Sequence, residues 1–170
     1  MATDEHTRFE ALLQGHRGIV LKVANSYAWS AEDRADLAQE IAAQVWRSFP
    51  SYNPARPFST WMYRIALNVA ITHVRSHTHH QRHAVPLDDS VHDIADGNAA
   101  DPEAAARQQF LLRLIAAQAP LDRALLLLYL EERSTREIAD VLGISESNVT
   151  TKINRLKQRI RDQVALSESD

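Results

Sequence analysis

The chain has 170 residues, 45% apolar and 24% charged, with a formal net charge of −3, which excludes wholesale disorder and suits one ordinary domain or two small ones. Without cysteine it can form neither a disulfide nor a thiolate metal site. No apolar run approaches the roughly 20 residues that span a bilayer, and residues 1–10 are polar and acidic rather than a signal peptide, so a cytoplasmic location without membrane insertion is expected.

The net charge hides a strong segregation. Positions 41–87 contain no Asp or Glu but carry Arg47, Arg56, Arg64, Arg75 and Arg82. Positions 147–161 are again free of acid and carry Lys152, Arg155, Lys157, Arg159 and Arg161. Between them, Asp88, Asp89, Asp93, Asp96, Asp101 and Glu103 stand without a Lys or Arg. Two cationic blocks can serve a polyanionic partner even when the average charge does not advertise one.

In chain order, Phe9, Leu12, Leu13, Ile19, Val20, Val23 and Tyr27 recur at helical spacing and predict one amphipathic helix over about 5–27. Ser30 can cap a second helix whose apolar face is Leu37, Ile41, Val45 and Trp46. Pro50, Asn53, Pro54 and Pro57 make 48–57 a loop, and a third helix starts at Phe58 with Trp61, Ile65, Val69 and Val74 as its stripe. Over 81–100 periodicity lapses among Pro86, Gly97 and acids, the pattern of a linker. Asp101, Pro102 and Glu103 open another helix, continued by Phe110, Leu111, Leu114 and Ile115, and Pro120 sets off a short helix over 121–130. No strand pattern appears. The expected fold is all-α: two small helical domains, 5–80 and 101–166, joined by an acidic flexible linker at 81–100.

The last segment, 134–161, carries the sharpest signal. Ser134, Thr135, Arg136 and Glu137 form a capping box, Ile138, Ala139, Val141 and Leu142 supply buried positions, and Gly143 stands where the helix must stop. Ser145 caps again, and Val149, Ile153, Leu156 and Ile160 form an inward stripe. A short capped helix, a glycine turn and a longer basic helix make a DNA-binding helix-turn-helix. Thr150, Thr151, Asn154 and Arg155 suit base edges, and Lys152, Lys157 and Arg159 suit phosphates.

With Asp36-Leu37-Ala38-Gln39-Glu40, the run from Arg56 through Trp61, Tyr63 and Arg64 to Asn68, and the block 134–145, the chain resembles the extracytoplasmic-function (ECF) sigma factors of bacterial RNA polymerase over residues 9–76 and 103–163. The resemblance implies that the second helix docks on the polymerase core through Asp36, Gln39 and Glu40. It implies that the 48–57 loop and third helix melt and capture the minus-10 promoter element, with Tyr52, Asn53, Arg56, Tyr63, Arg64 and Asn68 in that region. Trp61, which shares a stripe with Ile65, reads as core. Stacking on an unpaired base is worth roughly 1–3 kcal/mol.

For the minus-35 element the resemblance implies Arg136, Ser147, Asn148, Thr150, Thr151, Lys152, Asn154, Arg155, Lys157 and Arg159. Its further implications are a linker that threads toward the polymerase cleft, promoter DNA, polymerase core and an anti-sigma factor as partners, no enzymatic activity of its own and no cofactor. The chain departs from the family pattern at Glu132-Arg133, where Gly-Leu is common, and at Thr150 and Thr151, where Arg or Ser is frequent. The base preference is therefore not transferable from other members.

Two other readings compete. His73, His77 and His80, with His79 and His83 near, have the spacing of a metal site on one helical face, but no acid lies within the segment to orient the imidazoles, and no metal is expected. A helix-turn-helix regulator acting without the polymerase core would usually bind as a dimer to paired half-sites.

Overall fold

In the computed structural model, which describes residues 2–78 and 101–169, the single helix predicted over 5–27 is two: α1 (Ala2–Gly15) and α2 (Arg17–Tyr27). The break lies at His16, between Gly15 and Arg17-Gly18. Glycine is a poor helix former, and the Leu12 carbonyl there accepts both the His16 N–H at 3.1 Å and the His16 ring Nδ1 at 2.9 Å. The bend lets Phe9, the one buried residue of α1, pack against Trp46 and Phe49 at ring-centroid distances of 4.7 and 5.1 Å.

Next come α3 (Ala31–Ser48), a 3-10 turn at Phe49–Ser51, and α4 (Phe58–Thr78). Ser30 caps α3 as expected, accepting the Asp33 N–H at 3.0 Å. Helices α2, α3 and α4 pack on one another around Val23, Leu37, Ile41, Val45, Met62, Ala66 and Leu67, all at most 1% exposed. Each of the larger side chains among them contributes roughly 1.5–3 kcal/mol by leaving water. Trp46 is not part of that face and stays 43% exposed. It sits about 100° round the helix from Val45, so it marks the edge that α1 covers with Phe9 and His6.

The other helices are α5 (Pro102–Ala116), α6 (Pro120–Leu130), α7 (Thr135–Leu142) and α8 (Glu146–Ser167). Asp101 caps α5 by accepting the Glu103 N–H at 3.0 Å, with Pro102 in the first turn. Phe110 and Leu111 were expected to continue its apolar face but remain exposed, whereas Ile115 is buried. Arg123 of α6 is only 6% exposed. Its guanidinium donates to the Ala116 and Gln118 carbonyls at 3.0 and 3.1 Å, satisfying acceptors that the end of α5 leaves open. Leu125 and Leu128 of α6, Ile138 of α7, and Val149 and Leu156 of α8 close this core.

Among the described residues the fold is all-α, without a strand, and the chain divides into two compact units, Met1–Asp93 and Ile94–Asp170. The predicted linker at 81–100 lies outside the described residues, as do His79, His80 and His83 and the side chain of His77. No described helix is long and apolar enough to cross a membrane.

Candidate functional site

In the second unit, two left-handed residues set the angles on either side of α7. After α6, Glu132 takes φ 59°. Its N–H donates to the Tyr129 carbonyl at 3.0 Å, and the Arg133 N–H reaches the Leu128 carbonyl at 3.1 Å, the paired bonds of a Schellman turn. After α7, Gly143 takes φ 70°, and the Gly143 and Ile144 N–H groups both donate to the Ala139 carbonyl, at 2.9 and 3.2 Å. Glycine has no Cβ to oppose that conformation. Ser134 caps α7 and Ser145 caps α8, accepting from the Glu137 and Asn148 N–H groups at 3.1 Å each. The Glu137 carboxylate lies 3.5 Å from Arg133, so it serves an ion pair on the α7 approach.

The apolar stripe of α8 faces inward: Val149 and Leu156 are at most 2% exposed and Ile153 9%. Ser147, Asn148, Thr150, Thr151, Asn154 and Arg155 are thereby left exposed, as is Arg136 on α7. Lys152 is half-buried. The two last cations of the expected set are held by the chain itself. The Lys157 ammonium sits 4.6 Å from the centroid of the Tyr129 ring, and Arg159 Nη1 donates to the Asp122 carboxylate at 3.0 Å. Both contacts tie α8 to α6; the exposed base-edge candidates lie in its first three turns, and Arg159, the exposed member of the phosphate candidates, lies one turn further on.

In the first unit the 48–57 segment is ordered by its own polar groups. Asn53 Oδ1 accepts the Ala55 N–H at 3.0 Å, and the Tyr52 hydroxyl donates to the Arg56 carbonyl at 2.9 Å. The Tyr52 ring lies 5.3 Å from Phe58 and 5.1 Å from Trp61, and Trp61 packs 5.3 Å from Phe58. These offset and edge contacts are worth roughly 0.5–1.5 kcal/mol per pair beyond area burial. Tyr52 and Trp61 are half-buried in that cluster: they hold the loop against α4 and keep one edge toward solvent.

Tyr63 requires a correction. Expected among the minus-10 residues, it is 1% exposed, on the face of α4 that packs against α2 and α3, where its ring cannot reach an external base. A periodic stripe does not reveal how wide the buried arc of a helix is, and a tyrosine can belong to either side of its edge. Arg56, Asn53, Arg64 and Asn68 are exposed. Arg64 and Asn68 are joined on the same face by Thr72 and Arg75, also exposed, residues that sequence reasoning did not select. Their signal was the spacing of four, four and three residues from Arg64, which keeps them on one side of the helix.

Asp36, Gln39 and Glu40 are exposed on α3, and Glu40 Oε2 lies 3.6 Å from His73 Nδ1 of α4. His73 thus has an acidic neighbour, supplied by another helix rather than by its own segment, and is turned toward α3. Among the described residues no three His, Asp or Glu side chains are grouped to hold a metal.

Comparison with known proteins agrees with both units. The Sigma-70 region 2 family matches residues 12–80 and the Sigma-70 region 4 family residues 110–160, together about seven tenths of the chain. Over 170 residues the chain is 29% identical to the ECF RNA polymerase sigma factor SigE of Mycolicibacterium smegmatis, covering 95% of this chain and 63% of SigE. Over 138 residues it is 28% identical to RfaY of Xanthomonas campestris, named there a probable RNA polymerase sigma factor, covering 76% of this chain and 33% of RfaY. The chain therefore spans between a third and two thirds of these two relatives. In fold it is similar to the sigma factor RpoE of Bartonella quintana, solved in complex with the anti-sigma factor NepR, with a TM-score of 0.67, 13% identity and coverage of 95% of this chain and 97% of that one. With the region 2 helices and the region 4 helix-turn-helix both present, in that order, the chain belongs to the sigma-70 family, in its extracytoplasmic-function group.

Proposed function

We propose that this chain is a promoter-specificity subunit of bacterial RNA polymerase. In this reading α3 docks on the polymerase core through Asp36, Gln39 and Glu40. Arg56, Arg64 and Asn68, with Asn53 and the solvent edge of Tyr52, engage the opened minus-10 element. The outer face of α8, from Ser147 to Arg155, reads the minus-35 element, with Arg136 beside it. Catalysis stays with the polymerase, and the chain acts where polymerase and chromosome meet, in the cytoplasm. The division of labour follows 5–80 and 101–166, with the acidic 81–100 segment running between them along surfaces built for nucleic acid. An anti-sigma partner is part of the proposal, supported by the RpoE–NepR complex.

The observation that carries it is the pair of exposed cationic faces, on α4 and on the 147–161 stretch of α8, set in one chain whose two units match the two sigma-70 regions. A region 2 match favours a polymerase-bound factor over a regulator that binds DNA alone. The test is transcription from a promoter library by core polymerase with and without the purified chain, with start sites mapped. Start sites that appear only with the chain and share motifs near minus 10 and minus 35 are expected. No chain-dependent start site from any promoter would defeat the proposal.

A further inference from the structure

We infer that α8 recognises thymine through its 5-methyl group, using the side-chain methyls of Thr150 and Thr151; the inference rests on the proposed reading of α8 as the minus-35 helix and extends it to the chemistry of the bases read. The Thr150 hydroxyl donates to the Glu146 carbonyl at 3.2 Å, and the Thr151 hydroxyl to the Ser147 carbonyl at 3.0 Å. A hydroxyl has one proton, so neither threonine has a donor left for a base edge.

The branched Cβ then decides what is shown. With Oγ1 seated on the carbonyl four residues back, the χ1 torsion is fixed, and the part of each exposed side chain that faces outward is the γ-methyl. Both residues are exposed. In the major groove the thymine methyl is the one apolar feature among the base edges, and the threonine methyl is a recognised partner for it. Hydrocarbon therefore stands where a donor would read guanine, and it favours A·T pairs.

Asn154 strengthens the case from the next turn. It lies four residues after Thr150 and three after Thr151, hence beside both on the same face, and it is exposed. An asparagine amide pairs with adenine N6 and N7 in a bidentate way. Thymine methyl and adenine amide contacts from adjacent turns describe a short A·T-rich element, which the Arg or Ser frequent at 150 and 151 in the family would not specify.

The test uses the full chain bound to polymerase core. Duplexes are selected from a random-sequence library, and the selected duplex is resynthesised with uracil replacing each thymine in turn, which removes the methyl and leaves the base pair intact. Uracil at one or two upstream positions is expected to weaken binding about fourfold each, the worth of one buried methyl. Thr150→Ser and Thr151→Ser should bind the thymine duplex about as weakly as the unaltered chain binds the uracil one, and should no longer distinguish the two. Thr150→Val and Thr151→Val, which keep the methyl and remove the hydroxyl, should retain both affinity and distinction. A selected sequence that the unaltered chain binds equally with thymine or uracil overturns this inference alone, as do valine variants that lose binding while serine variants keep it. Failure to select any sequence removes the promoter reading and this inference with it.

Discussion

Glu132 gives the sharpest test of how the helix-turn-helix is held. It is exposed, at φ 59°, in the turn that aims α7 and through it α8. A side chain in the left-handed region costs roughly 1–2 kcal/mol, because Cβ crowds the following carbonyl. Glycine removes that cost but gives back roughly 0.4–1 kcal/mol through the greater freedom of the unfolded chain. Glu132→Gly should therefore stabilise the second unit by about 0.5–1 kcal/mol. With a urea slope of roughly 1–2 kcal/mol per M, the midpoint should rise by about 0.5 M. The three tryptophans, Trp29, Trp46 and Trp61, all lie in the first unit, so circular dichroism should record the shift while tryptophan fluorescence records none. Glu132→Ala separates backbone from charge, since it removes the carboxylate and keeps the Cβ. An unchanged or lower dichroism midpoint for glycine, or an equal gain for alanine, would show that the left-handed backbone at 132 stores no strain.

Reversing the acidic patch, with Asp36→Arg and Glu40→Arg together, should abolish binding to polymerase core while leaving the helical dichroism unchanged, because both side chains are exposed; core affinity measured by co-migration checks it. Arg155→Ala should weaken binding to the selected upstream element by about 1–3 kcal/mol if the residue reads a base edge, and equal losses on selected and random DNA would demote it to a phosphate contact. Arg159→Ala, which breaks the 3.0 Å pair with Asp122, should cost about 0–1 kcal/mol of stability and leave the salt dependence of DNA binding unaltered, whereas a slope reduced by about one unit would make it a phosphate contact. Tyr63→Ala should destabilise the first unit by roughly 3–5 kcal/mol, as loss of a buried aromatic does, seen as an early tryptophan transition; normal stability with a selective melting defect would return Tyr63 to the DNA surface.

Much of the architecture was legible because local chemistry decides it. The Ser30, Asp101, Ser134 and Ser145 caps, the Gly143 stop and the period of Val149, Ile153 and Leu156 each depend on residues within a turn of one another. The misreadings lie where a partner decides. The helix expected over 5–27 is broken at His16 into α1 and α2, and Phe9 finds its aromatic neighbour Trp46 on α3. Trp46 left the core face and Tyr63 joined it according to where the neighbouring helices lie.

At the site, the charge segregation, the two helix blocks that carry the family resemblance and the outward positions of α8 are legible in the chain, because charge and helical period are properties of residue order. Which cations also find partners inside the fold depends on packing. Asp122 reaches Arg159 across 37 residues and Tyr129 lies under Lys157, while Glu40 faces His73 from another helix. Such pairs form only when helices distant in sequence pack side by side, and no local spacing encodes them.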